Sequence, residues 1–139
     1  MINNKNQLLK VLKENKENIK IKRIYNFDKN NKIPEGEIGF IEQVQSNAFT
    51  IKYNCLDKAC WLYLSGAMSQ SFEIKDNKII YYQFITEGHE KEAEQMAKEK
   101  NINLIKIDKT DKINKDYMKT RNFLYTYKFV VIINEILEV

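Results

Sequence analysis

Histidine occurs once, at position 89, and cysteine twice, at positions 55 and 60, in a chain of 139 residues. An ordinary structural zinc site takes four ligands, so these three side chains cannot complete one without borrowed carboxylates or a second chain. The expectation is no metal and no cofactor. Cys55 and Cys60 stand close together in "NCLDKACWL", but a disulfide depends on Cα separation and Cβ direction, and reduced thiols are expected. The single proline and four glycines accompany a wealth of Lys, Asn and Ile, a pattern of AT-rich coding that carries no functional information. Long hydrophobic runs are missing too. The longest, Phe129 to Ile133, has five residues, far short of a bilayer span. The opening "MINNKN" lacks a basic region followed by an apolar core and a small-residue cleavage site. These absences point to a soluble intracellular protein with no membrane partner.

Charge is present but unevenly placed. The net charge is +4; residues 1–32 carry nine Lys or Arg against three acids, residues 33–82 four against six, and residues 83–139 ten against ten. The basic N-terminal segment could steer the chain toward phosphates or an acidic partner surface, although a solvated face accounts for the same charges. The acidic surplus of residues 33–82 is too small for DNA mimicry, which needs a continuous negative face.

Asn3 and Asn4 are candidate caps for a helix that places Leu8, Leu9 and Leu12 on one side. From Ile19 the period becomes two. Ile19, Ile21, Arg23, Tyr25 and Phe27 then share one strand face, with Lys20, Lys22 and Ile24 on the other. In "DKNNKIPEGEIG", Pro34 fixes φ while Gly36 and Gly39 supply a hinge. This is no phosphate loop: it lacks both the third glycine of a dinucleotide fingerprint and the Lys-Ser/Thr of a mononucleotide loop, and Glu35 and Glu37 would repel a phosphate. Strands follow at Phe40–Val44 and Phe49–Tyr53, separated by a turn in which Asn47 can adopt left-handed geometry. "CWLYL" is a further strand, and "SFEIKDNKIIYYQF" a hairpin turning at Asp76-Asn77. This run of short strands between residues 19 and 84 fits a small antiparallel barrel better than a parallel sheet.

Beyond residue 85 the pattern changes. Thr86 can cap a helix with Glu87 and Glu90 early and Lys98 and Lys100 late, and Asn101 can stop it. A buried strand over Ile102–Ile107 would then pair in parallel with Ile79–Ile85 through a right-handed crossover. In the last stretch Phe123, Tyr125, Tyr127, Phe129, Val131 and Ile133 line one strand face. Both faces become apolar from Phe129, which predicts a central strand with a bulge or bend. The expected fold is α+β in one compact domain: an N-terminal helix in residues 1–18, a small antiparallel barrel or strongly bent sheet in 19–84, and a C-terminal βαβ/β extension in 85–139.

The succession of a basic strand, "PEGEIGFIEQVQSNAFTI" and "CWLYLSGAMSQSFEIKDNKI" resembles small proteins encoded by phages and prophages of low-GC bacteria, which are similar to SH3-like barrels. The resemblance covers about residues 19–80 and rests on Gly36, Gly39, Val44, Gln45, Asn47, Trp61 and Ala67. It departs from the common pattern at Ser65-Gly66, where a Pro-Lys pair is frequent. The resemblance implies a non-enzymatic accessory protein that binds a host protein or ribonucleoprotein, such as an inhibitor of a defence nuclease or regulator.

Catalytic chemistry has little support in the residues. His89 is the only imidazole for a nucleophile such as Cys55, Cys60 or Ser69, and Asp108, Asp111 and Asp116 are the acids from which a metal-dependent nuclease would have to be built. A surface histidine and solvated acids explain them as well. The aromatic residues say more. Trp61, Tyr63 and Tyr125 could anchor a macromolecular partner, and lysines and an arginine at Lys20, Lys22, Arg23, Lys52 and Lys58 could hold phosphates while rings stack on bases. Pro34, Gly36, Gly39 and Asn47 are read as turn or hinge positions. Two function classes result: a protein-binding accessory factor and a basic RNA- or DNA-binding module. Homo-oligomerisation as a structural protein is a third.

Overall fold

The computed structural model describes residues 1–66, 69–107 and 125–139. They divide into two units, one made of Met1–Ser65, Phe72–Tyr81 and Val131–Val139, the other of Gly66–Ser71 and Tyr82–Val130.

The first unit begins with helix α1 (Lys5–Asn15), capped by Asn4, whose side chain accepts the Gln7 N–H at 2.8 Å. Leu8, Leu9 and Leu12 are buried on one side of it, as their spacing predicts, and each contributes about 2 kcal/mol of burial. A 3-10 turn (Lys16–Asn18) leads into strand β1 (Ile19–Asn26). Strands β2 (Ile38–Val44), β3 (Ala48–Tyr53) and β4 (Cys60–Tyr63) follow in antiparallel succession. Register sorts their side chains onto two faces, because directly opposed residues point the same way. Ile21, Gly39 and Tyr53 form one row and Ile41, Ile51 and Cys60 another on the inner face, which shares a core with the helix leucines, Phe49, Leu62 and Leu64.

Strands β5 (Gln70–Lys75) and β6 (Lys78–Thr86) form the hairpin expected from sequence. Its turn residues Asp76 and Asn77 have φ of 51° and 61°, left-handed values that Asp and Asn tolerate better than other side chains. Asn77 also anchors the start of the chain: its Oδ1 accepts the Ile2 N–H, its own N–H donates to Ile2, and its carbonyl accepts the Ile136 N–H.

The second unit holds helix α2 (Glu90–Lys100) and strand β7 (Ile105–Lys106), with a small core of Phe84, Ile107 and Tyr125. Strand β8 (Tyr125–Glu138) runs through residues of both units. Asn101 ends α2 in left-handed geometry, as expected. The cap at its start is not Thr86. His89 occupies that position, and Thr86 Oγ1 lies 3.1 Å from His89 Nδ1.

The sheet order is β4-β3-β2-β1-β8-β6-β5, with β7 also paired to β8. This overturns the small SH3-like barrel and the strongly bent sheet. The strands of residues 19–84 do not close on one another, because the C-terminal strand β8 pairs along β1 from Ile19↔Glu138 to Asn26↔Ile132 and takes the edge that closure would need. β4 and β5 are left at the ends of an open order. The parallel βαβ pair is likewise absent, since β7 pairs antiparallel with β8 through Ile105↔Lys128 and Lys106↔Tyr127.

Alternation also breaks inside β1. A bulge between Arg23 and Tyr25 inserts Ile24 as an extra residue, so Tyr25 leaves the face of Ile21 and Arg23, and Asn26 is buried instead. In β8 the buried positions pass from Tyr125 and Phe129 to Asn134 and Ile136. In β6 they pass from Ile79 to Tyr82 and Phe84.

Among the described residues, no helix is long and apolar enough to cross a membrane.

Candidate macromolecule-binding face

The outer face of β1–β4 is built by the residues that alternate with the core. Lys20, Phe40 and Lys52 form one row across β1, β2 and β3, Lys22 and Ile38 a second, Thr50 and Trp61 a third, and Ala48 and Tyr63 a fourth. The apolar members are exposed, Ile38 by 40%, Phe40 by 47%, Trp61 by 40% and Tyr63 by 58%. The small residues opposite the two β4 rings, Thr50 and Ala48, are buried, leaving large side chains standing over a low β3 surface. Trp61 and Tyr63 stack with ring centroids 6.1 Å apart and planes 25° from parallel. Lys20 Nζ lies 5.5 Å from the centre of the Phe40 ring, a cation-π contact.

Of the residues singled out from sequence, Lys20, Lys22, Lys52, Trp61 and Tyr63 come together on this face. Lys52 donates to the carbonyls of Tyr53 and Leu56, tying its ammonium to the loop after β3 without neutralising it. Lys58 is exposed in that β3–β4 loop. Two others do not belong. Tyr125 is 3% exposed and packs on Phe84 with centroids 4.9 Å apart; it is a core residue of the second unit. Arg23 is 6% exposed and lies on the inner face, in register with buried Asn134. Odd and even positions of β1 face opposite ways, so the basic run "KIKR" cannot form one patch.

The inner face near Arg23 has its own electrostatics. Arg23 Nε and Nη1, Tyr53 Oη and Asn134 Oδ1 are buried and lack hydrogen-bond partners among the described residues. Burial raises the Tyr53 hydroxyl above its usual pKa; the nearby guanidinium opposes that rise without making a hydrogen bond of normal geometry. Burial also pushes the Tyr81 hydroxyl well above the usual tyrosine range, again against the pull of Arg23. Tyr81 donates to the carbonyl of Tyr63, and its ring tilts against Phe72 at 6.0 Å. This bond fixes the end of β4 from which Tyr63 projects.

Of the turn positions, Gly36 takes φ of 93° and donates to the Arg23 carbonyl, while Pro34 accepts from Glu37. Asn47 lies between β2 and β3 and accepts from the Leu64 N–H, but it is not among the left-handed residues. Gly39 is no hinge. It sits inside β2 because the Ile51 and Tyr53 side chains occupy the space a Cβ would need.

Ile38 and Phe40 are the members of the face that sequence reasoning left out of the site. Their signal was the alternation Ile38-Gly39-Phe40-Ile41, in which the buried positions are Gly39 and Ile41. Asp108, Asp111 and Asp116 lie outside the described residues. Cys55 is an exposed free thiol and Cys60 a half-buried one. Comparison with protein-family models, with curated proteins and with solved structures returned no match to this chain.

Proposed function

We propose that the chain is a non-enzymatic binding protein that engages a macromolecule through the outer face of β1–β4. The observation that carries this reading is the grouping of Ile38, Phe40, Trp61 and Tyr63 on one exposed sheet face. Singly scattered apolar residues are normal on a protein surface, whereas two pairs of large exposed apolar side chains on one sheet face, with lysines between and beside them, mark a contact site. Trp and Tyr are also the residue types that dominate binding energy when a partner desolvates them. The resemblance to phage-encoded proteins supports a host macromolecule as the partner, with a defence nuclease or regulator as the case it implies.

The test compares the wild-type chain with a Trp61→Ala/Tyr63→Ala variant as baits in host lysate. Both side chains project from the outer face, so the variant is expected to keep the circular dichroism of the wild type, with a thermal midpoint lowered by the buried part of Trp61 but still a cooperative transition. A species retained by the wild type and lost from the folded variant is the expected result. Retention that survives the double substitution would place the contact elsewhere.

A further inference from the structure

We infer that the occupant of the outer β1–β4 face is a single-stranded nucleic acid, its bases stacking on Trp61, Tyr63 and Phe40 and its phosphates meeting Lys20, Lys22, Lys52 and Lys58. The inference rests on the reading of this face as the contact surface and adds the class of ligand. Three observations carry it.

The first is ring presentation. Trp61 and Tyr63 alternate with Leu62 on an end strand of the sheet order, four residues long, with exposed rings whose planes lie 25° apart. The β3 residues opposite them are Thr50 and Ala48, too short to cover the rings. Adjacent strands lie ~4.8 Å apart and rise ~3.4 Å per residue; Phe40, two strands away and level with Lys52, is two residues out of line with Trp61 and four with Tyr63, which puts it about 12 Å from the first ring and about 17 Å from the second. That separation lets an extended strand set different bases on the two ring groups.

The second is charge. Lys20, Lys22, Lys52 and Lys58 are in no ion pair among the described residues; the salt bridge of the first unit joins Lys29 to Glu35. Acids temper the field: Asp57 is exposed beside Lys58 in the β3–β4 loop, and two more stand on the strands, Glu135 in register with Lys22 and Glu42 exposed on β2. None stands opposite Phe40, Trp61 or Tyr63 in the strand registers, where Lys20, Lys52, Thr50 and Ala48 do. A ligand with flat apolar groups joined by anionic linkers suits such a surface, and base-aromatic stacking tolerates any sequence because every base has a π face.

The third is the lysine over Phe40. The Lys20 ammonium, 5.5 Å from the ring centre, is held by a cation-π contact worth only about 0.5–1 kcal/mol at an exposed site. A phosphate can draw it aside and bare the ring for a base. A duplex offers no such exchange, because its bases are already stacked on one another.

Trp61 is the only tryptophan in the chain, so its fluorescence reports directly on this face. The experiment titrates the full chain with unlabelled oligo-dT and oligo-U of about ten nucleotides, a length within the usual site size of such surfaces, and with a duplex of equal length. Each titration is run at low and at physiological salt. The expected result is quenching of Trp61 by single strands, much weaker quenching by the duplex, and affinity that falls as salt rises. Tyr63→Ala should weaken binding about five- to a hundredfold. Lys20→Ala and Lys22→Ala should each reduce the log-log salt slope by about 0.7.

In the titrations, any of three results would overturn the proposal: no binding at low salt, preference for the duplex, or equal affinity in wild type and Tyr63→Ala. These outcomes separate it from the reading beneath it. If single strands fail to bind but a Trp61- and Tyr63-dependent species survives nuclease treatment of the lysate, the face stands and its occupant is protein. If single strands bind equally well to the Trp61→Ala/Tyr63→Ala variant by fluorescence anisotropy, the face itself is wrong. Concentration-dependent sedimentation abolished by the same substitutions would assign the face to a second copy of the chain, and overturn the nucleic-acid inference.

Discussion

Replacing Gly39 with alanine tests the register on which the outer face depends. An ideal Cβ at that position would lie 2.3 Å from Ile51 Cγ2 and 2.9 Å from both Cδ1 and Cε1 of Tyr53. Carbon atoms attract best at about 3.5–4.0 Å, so each of these approaches is strongly repulsive. Relief is hard to find, because Cγ2 is attached directly to the Ile51 Cβ, and both Ile51 and Tyr53 are almost wholly buried. Overpacking of this kind costs about 1–3 kcal/mol. Against it stands the gain of about 0.4–1 kcal/mol that alanine brings by restricting the unfolded chain. Clash wins. The net expectation is a loss of about 1–2 kcal/mol, or roughly 3–8 °C in thermal midpoint for a chain of this size, read by urea and thermal denaturation. A double-mutant cycle sharpens the result: Ile51→Ala removes the clashing methyl, so its cost should be smaller in the Gly39→Ala background than in the wild type. Unchanged or increased stability in Gly39→Ala would refute the reasoning. It would mean that Gly39, Ile51 and Tyr53 do not share the inner face, and the outer face would lose its register with them.

Asn77→Ala should destabilise by about 2–3 kcal/mol, from a left-handed backbone that alanine resists and a lost hydrogen bond to Ile2. Asn77→Gly, which restores only the backbone, should cost about 1 kcal/mol; chemical denaturation of the pair checks the order. Tyr53 and Tyr81 both have raised pKa values in the fold. Above the ordinary tyrosine value of about 10 the unfolded chain therefore loses these protons first, and stability falls as pH rises. Urea midpoints at alkaline pH should drop less steeply in Tyr81→Phe, and equal slopes would count against the burial of that hydroxyl. Glu94 raises the pKa of half-buried Tyr127 and accepts its hydroxyl at 3.3 Å; Glu94→Gln should lower that pKa in an NMR titration.

Local elements were legible because their causes are local. The Asn4 cap, the leucine side of α1, the Asp76-Asn77 turn and the Asn101 stop each follow from residues within a few positions of one another. Alternation likewise placed Lys20 and Lys22 together and set Trp61 beside Tyr63. It failed where an extra residue entered. Nothing around Ile24 announces the bulge that turns Tyr25 away from Arg23, and Arg23 looks like any surface arginine until Asn134 is set beside it. Tyr125 and Tyr63 are indistinguishable by residue type; only the neighbours, Phe84 for one and open surface for the other, separate core from contact residue.

The chain by itself therefore determined its helices, its hairpin turns, most of its strands and the alternation that makes a face. Tertiary structure decided which strands meet. β8 lies more than a hundred residues from β1 in sequence, yet the two pair along nearly the whole of β1, and that pairing turns an expected barrel into an open order. The physical reason is that a strand edge carries the same N–H and C=O groups whatever its sequence, so the choice among non-local partners is made by the packing of whole faces. That choice opened the sheet, while the pairing of consecutive strands β1 to β4 set Phe40, Trp61 and Tyr63 with three lysines on one side of it.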